Sequence, residues 1–390
     1  MYYILSRLAP GFVLCLCVCC ANTYYVATNG SDDNTGAADS PLRTIAAGVA
    51  LAQPGDTVMV EDGRYFSEGV QTCGNTCGTI TGVVTIAKSG TPDAWITIKA
   101  AHKWQAVLDS QLISDAYFDL QNGAAYISIE DFEITHGYWA GIHTYSGPHD
   151  IRISGNHFDH IGNRVYAPTD SGLGIVGVFI DSTTYNFTFD GNMFNNIGRI
   201  PSDPATSFNH DHALYIYGTN VTITNNIFYN NSAGWSIQIS PGTSDCMVAH
   251  NTFVGGNPQR NGQIELWGTQ NNISILNNIF FEPTNYAVDL YQTDESGLQI
   301  ENNIVSGAGV DLLQTPDPSY TISGNQVNTN PSFVNLMLHD YHLRPGSPAI
   351  GAGVDVPSVT TDFDGNTRPP FDVGALVYVG PAGGSTPPRR

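Results

Sequence analysis

The chain has 390 residues, 41 of them glycine, and a formal charge of −21 from 35 acidic and 14 basic side chains. Its lysines, Lys88, Lys99 and Lys103, all lie in the first third. A surface of that sign repels nucleic acid and anionic lipid, which argues against both as partners, and a polyanionic substrate needs local arginines or a cation to approach.

The first 21 residues read as a secretory signal. Arg7 precedes an apolar run over 11–20, and Cys19-Cys20-Ala21 supplies small residues for cleavage. The run is short for a membrane span. The expected location is extracellular or periplasmic, with no membrane contact after signal removal. Cys17, Cys19 and Cys20 leave a lipoprotein anchor as the alternative. Of the cysteines beyond the signal, Cys73 and Cys77 flank a tight Gly-Asn-Thr loop and are expected to form a disulfide in an exported protein. Cys246 is expected to be a small buried apolar residue.

Residues 22–65 form an opening unit: a strand at 24–27, a turn at 28–33, a helical pattern over 46–52 and a strand at 58–60. From there a repeat takes over. An asparagine recurs at Asn156, Asn192, Asn226, Asn251, Asn278 and Asn303, with a weaker copy at Asn325, and Phe or Val follows each by two residues. Glu130-Asp131-Phe132 reads as a first copy with Asp in the Asn place. From 131 the steps are 25, 36, 34, 25, 27, 25 and 22 residues. A period in the twenties with one strand-like phrase per unit means a solenoid, in which each coil buries its apolar face only against its neighbours. Stacked asparagines can hydrogen-bond along such a stack at a spacing of about 4.8 Å, so the ladder is structural.

Two steps are long by about ten residues each, which places insertions at 164–174 and 199–212 on one side of adjacent coils. Long loops on a rigid scaffold are where function concentrates. The strand after each turn aligns coil by coil. Period-two alternation sends Ile142, Val178, Leu214, Ile237, Ile264 and Val288 inward. A second inward column holds Thr144, Ile180, Ile216, Ile239, Leu266 and Leu290. The outward columns are His143, Phe179, Tyr215, Gln238, Glu265, Asp289 and Tyr145, Asp181, Tyr217, Ser240, Trp267, Tyr291. Rings that stack on sugars, interleaved with amides and carboxylates that bind hydroxyls, make a groove of polysaccharide length. Arg164, Tyr145, Tyr217, Gln238, Glu265, Trp267, Asp289 and Tyr291 are therefore expected to bind substrate. The chain end has Asp340-Tyr341-His342-Leu343 and a Gly346-Ser347-Pro348-Ala349 turn within a closing segment at 328–379. A Gly/Pro/Ser-rich tail at 380–390 is expected to be disordered.

The opening unit resembles the N-terminal cap of secreted right-handed parallel β-helix proteins of the pectate-lyase-like superfamily, and the closing segment is similar to theirs. The resemblance implies one all-β, single-stranded right-handed parallel β-helix over 22–379, with a short capping helix in 22–65. It implies a carbohydrate-active monomer, while the superfamily hosts lyases, hydrolases, esterases, epimerases and binders.

Three chemistries compete. Asn209-His210-Asp211-His212, with Tyr215, His143 and Asp181, can supply acid and base for β-elimination, and Arg164 or Arg199 can neutralise a uronate carboxylate. This lyase reading comes first. Glu265 and Asp289, about one 4.8 Å rung apart, can serve glycoside hydrolysis as the alternative. Asp170, Asp181, Asp203 and Asp211 can share a calcium ion, with Asp170 and Asp211 the leading ligands. The resemblance implies a basic residue as base in calcium-dependent relatives. The lysines lie far from the insertions, which leaves arginine, histidine or tyrosine. A non-catalytic glycan-binding protein is the third reading.

Overall fold

The computed structural model describes residues 21–66, 82–165, 174–200, 210–231, 233–257, 260–292, 295–314, 316–368 and 371–380. The signal region, Cys73 and Cys77, Asp170, Asp203, Asn209 and the tail lie outside the described residues.

Three long parallel sheets of eleven, nine and ten strands run the length of the chain, each strand pairing with its counterparts one coil earlier and later. Both inward columns are the core. Ile142, Val178, Leu214, Ile237, Ile264 and Val288 are fully buried, as are Thr144, Ile180, Ile216, Ile239 and Leu266, and only Leu290 is partly exposed. A phenylalanine stack continues it in the ten-stranded sheet. Phe158, Phe194, Phe228, Phe253 and Phe280 lie face to face with centroids 4.6–5.0 Å apart.

The asparagine ladder is buried and continuous. Each carboxamide oxygen accepts both the backbone N–H and the side-chain N–H of the asparagine one coil earlier, from Asn156 to Asn325, at 2.9–3.2 Å. One detail corrects the sequence reading. Phe132 N–H, not Asp131, donates to Asn156, so Phe132 holds the first rung. Asp131 instead occupies the left-handed residue before the ladder, φ 65°, the place taken later by Gly155, Gly191, Asn225, His250, Asn277, Asn302 and Gly324. Gly, Asn and Asp tolerate that conformation best, which explains the residue choice before each rung.

Asn251→Leu should destabilise the fold by about 1–3 kcal/mol for each group it orphans, since Asn226 N–H and Ile223 C=O lose their partner. The midpoint of urea unfolding measures this. Asn220→Ala, which removes an exposed amide pair with Asn186, should stay within about 0.5 kcal/mol.

The helix Ile45–Leu51 starts at Thr44, whose hydroxyl accepts from Ala47 N–H at 3.1 Å, and buries Ile45, Gly48 and Val49 against the first coils. The closing segment folds back over the ten-stranded sheet. The antiparallel strands Phe333–Asn335 and Asp340–Leu343 pack there, and Arg368 donates to Asn225 Oδ1 at 2.8 Å. Cys246 is buried as a free thiol. Among the described residues no helix is long and apolar enough to cross a membrane.

Candidate active site

The nine-stranded sheet presents its outward face as a cleft of about 920 Å³. Its floor is one column in strict register: His143, Phe179, Tyr215, Gln238, Glu265 and Asp289. Alternation along each strand decides this, because the flanking residues of every strand are core. A second row brings Tyr217, Trp267 and Tyr291 to the same cleft. Its wall comes from the turns that enter the strands and carries Trp139, His210, His212, Trp235, Arg260 and Asn261.

The carboxylates Glu265 and Asp289 sit side by side on neighbouring strands, both buried. Burial and the neighbouring Asp289 charge push the Glu265 carboxyl up to about 8, and Arg260 acts against this. Its Oε2 has no hydrogen-bond partner among the described residues. Asp289 is also raised by burial, and Arg260 and the Trp235 indole work against it. That indole N–H is buried without a hydrogen bond of normal geometry, so its influence on Asp289 is that of a nearby dipole. Two neighbouring acids in unequal environments are the pattern that separates a proton donor from a carboxylate. The Arg260 guanidinium stacks on Trp235, 4.1 Å from the ring centroid.

His210 and His212 share a sequence motif but not an environment. His212 is fully buried, stacks on Trp235 at 5.5 Å and accepts the Trp235 backbone N–H on Nδ1 at 3.1 Å. Burial, with His210 and Arg260 nearby, lowers it to about 3, so it stays neutral near pH 7. Gly234 makes this stacking possible, since a Cβ there would stand 1.9 Å from the Asp211 carbonyl oxygen. His210 is more open, with Nδ1 3.4 Å from Arg260 Nη2, and burial and then Arg260 lower its pKa. Tyr215 and Tyr217 hydroxyls bond at 2.8 Å, and burial raises Tyr215 first, followed by that bond.

The structure thus brings together His143, His210, His212, Tyr215, Tyr217, Gln238, Glu265, Trp267, Asp289 and Tyr291. It places the remaining described candidates elsewhere, and Asp170 lies outside the described residues. Arg199 and Asp211 form a buried ion pair, Nη2 to Oδ1 at 2.6 Å and Nε to Oδ2 at 3.1 Å, and Ile175 and Arg199 N–H also bind that carboxylate. Burial pushes Asp211 up, against these four donors. Asp181 holds its own turn by accepting from Thr183 N–H and hydroxyl at 2.6 and 2.5 Å. Arg164 lies over Tyr138, 4.3 Å from its centroid, and Tyr145 is 63% exposed; neither lines the cleft.

Four wall residues were missed, Asn261 among them. Trp139, Trp235 and Arg260 come from turns rather than strands. One signal was available for Arg260, which stands three residues before Gln263 as His210 stands three before Ala213.

Of the four calcium candidates, Asp170 and Asp203 lie outside the described residues, and the structure places Asp181 and Asp211. Among the described residues no three His, Cys, Asp or Glu converge on one point. Asp211 is bound by Arg199, Asp181 by Thr183, and Glu265 and Asp289 share their space with Arg260.

A family model described as "Pel9A-like, right handed beta helix region" matches residues 24–232, and a general right-handed β-helix model matches 177–344. Pectate lyase L of Dickeya chrysanthemi is 27% identical over 176 residues, 44% of this chain and 37% of that protein. Pectate lyase PEL9 of Emericella nidulans is 27% identical over 150 residues, 36% of this chain and 32% of that protein. The matches therefore span about a third of those relatives' length. The crystal structure of pectate lyase Pel9A superposes with a TM-score of 0.51 at 16% identity, covering 91% of this chain and 96% of that one. A glycoside hydrolase structure gives 0.56 at 9% identity, covering 83% and 99%. These superpositions bear on the fold alone. Since the first model spans more than half of the 390 residues, the chain belongs to the Pel9A-like right-handed β-helix family.

Proposed function

We propose that this protein is a secreted polysaccharide-degrading enzyme that cleaves a glycosidic bond laid across Glu265 and Asp289. The observation that carries the reading is that pair: adjacent in register, buried in an aromatic-walled cleft, one acid held neutral up to about pH 8. Glu265 would protonate the leaving oxygen. Asp289, its charge favoured by Arg260, would attack the sugar or activate water. A separation near one rung of about 4.8 Å suits a retaining mechanism, in which Asp289 forms and then loses a glycosyl bond. Trp235, Trp267 and Tyr291 would hold sugar faces beside the pair. The helix Ile45–Leu51 would close the first coil, which needs cover for its core.

A second reading, β-elimination on a uronic-acid glycan, is favoured by the Arg260 guanidinium beside His210, whose low pKa leaves it free to take a proton. The pectate lyases among the relatives point the same way. In this reading Arg260 would neutralise the uronate carboxylate, His210 would remove the adjacent proton, and Tyr215 or neutral Glu265 would protonate the leaving oxygen.

One experiment separates them. The mature protein is incubated with pectic, alginate, glycosaminoglycan and neutral polysaccharides, and reducing ends and ultraviolet absorbance are followed together, with and without chelator. Reducing ends without absorbance are expected, unaffected by chelator. Absorbance rising in step would establish elimination, loss of activity with chelator would establish a metal requirement, and neither signal on any substrate would remove both enzymatic readings.

A further inference from the structure

The reactive pair does not sit in the middle of its cleft. From Glu265 the floor runs four strands toward the N-terminus, through Gln238, Tyr215 and Phe179 to His143. In the other direction it reaches Asp289 and stops, because the next strand, Asp311–Leu313, contributes nothing to the lining. Four rungs at about 4.8 Å make roughly 19 Å, and each sugar of an extended chain advances by about one rung.

The far end is built, not merely left over. His143 is 7% exposed, and its Nδ1 lies 2.9 Å from Asp119 Oδ1, while the Gln121 amide donates to the other oxygen of that carboxylate. With Nδ1 donating its proton to Asp119, Nε2 is the ring nitrogen left to meet a ligand. His143 stacks on Phe179 at 5.5 Å and 10°. Trp139 closes over both, 5.4 Å from each ring, and its buried indole N–H has no partner among the described residues. Two aromatic faces, one orphaned donor and one braced imidazole are the equipment of a sugar site: ring faces for C–H surfaces and polar atoms for hydroxyls.

We propose that Trp139, Phe179 and His143 form a terminal sugar subsite about four residues from the cleaved bond, so that the enzyme binds a long arm of substrate on one side of Glu265 and one sugar on the other. This rests on the assignment of Glu265 and Asp289 as the reacting pair. His143 is then a specificity residue, not an acid or base.

The test separates binding from cleavage. Fragments of two to eight sugars from each panel polysaccharide are titrated calorimetrically onto Glu265→Gln, with and without Trp139→Ala. Affinity should climb with length to about five sugars and then level. Trp139→Ala should cost about tenfold on fragments of five or more and leave two- and three-sugar binding unchanged. Trp139→Phe, which keeps the packing and drops the N–H, should fall between, and a thermal melt of each variant checks the fold. A plateau at two or three sugars, an equal loss at every length, or no binding by any fragment would overturn the subsite. Length-dependent binding in a protein that cleaves nothing would instead overturn the proposed reaction and leave the subsite standing.

Discussion

Glu265→Gln is expected to lower kcat by about 10²–10⁴-fold while leaving binding nearly intact, because it keeps the shape and removes the proton that the leaving oxygen needs. The wild-type rate should fall as pH rises through about 8, where Glu265 ionises. It should also fall on the acid side as Asp289 protonates, at a pH above the ordinary aspartate range. The variant should lose the alkaline limb. Stability supplies a second, independent readout. Glu265 has a folded pKa above its unfolded value of 4.5, so the folded state holds a proton that the unfolded state has lost. Its contribution is fully present below the unfolded pKa and disappears as pH climbs from there to about 8. Gln cannot ionise, so the variant should melt at a higher temperature than wild type at pH 8 and match it more closely near pH 4. Full activity in Glu265→Gln would sink the assignment, whatever the melt shows.

That a site residue should be destabilising follows from where it lies. Glu265 stands on the outward face of a strand whose other side is core, and the aromatic wall of Trp235 and Trp267 strips it of water. A soluble protein gains nothing in stability from an unpaired buried carboxyl. Its presence is more easily understood as the cost of chemistry.

The floor of this cleft was legible in the sequence because a parallel β-helix turns sequence spacing into spatial register. Once Leu214 and Ile216 are read as inward, Tyr215 must point out, and coil-by-coil alignment then places it beside Gln238. The ladder was legible for the same reason, with one slip. Asp131 looked like a rung because the left-handed residue before each rung is also polar or glycine, and only the backbone distinguishes the two columns. The wall was legible only at His210 and His212. Trp139, Trp235 and Arg260 sit in turns, where no period-two rule says which way a side chain faces. Position before a strand was the one clue, and it would have paired Arg260 with His210. Arg199 and Asp211 failed in the opposite sense. Both flank an insertion and carry charge, which suggests exposure and function, yet they are buried against each other.

Asp211→Ala therefore tests the structural role of that pair. Ile175 and Arg199 N–H donate to its two oxygens at 2.8 and 2.7 Å, so the carboxylate ties one coil's turn to the strand entry of the coil before it. The guanidinium adds two more bonds, with both side chains 1% exposed or less. Removing one partner of a buried pair strands the other charge, a cost of about 3–5 kcal/mol. The unfolding midpoint should drop accordingly. Asp211→Asn together with Arg199→Met should recover much of the loss, because the amide oxygen still accepts a backbone N–H and no buried charge is left over. Below their melting temperatures both variants should retain most of the wild-type kcat, since neither residue reaches the cleft. A variant that melts like wild type but no longer turns over would return Asp211 to the chemistry and place the reacting centre at the insertion rather than at Glu265.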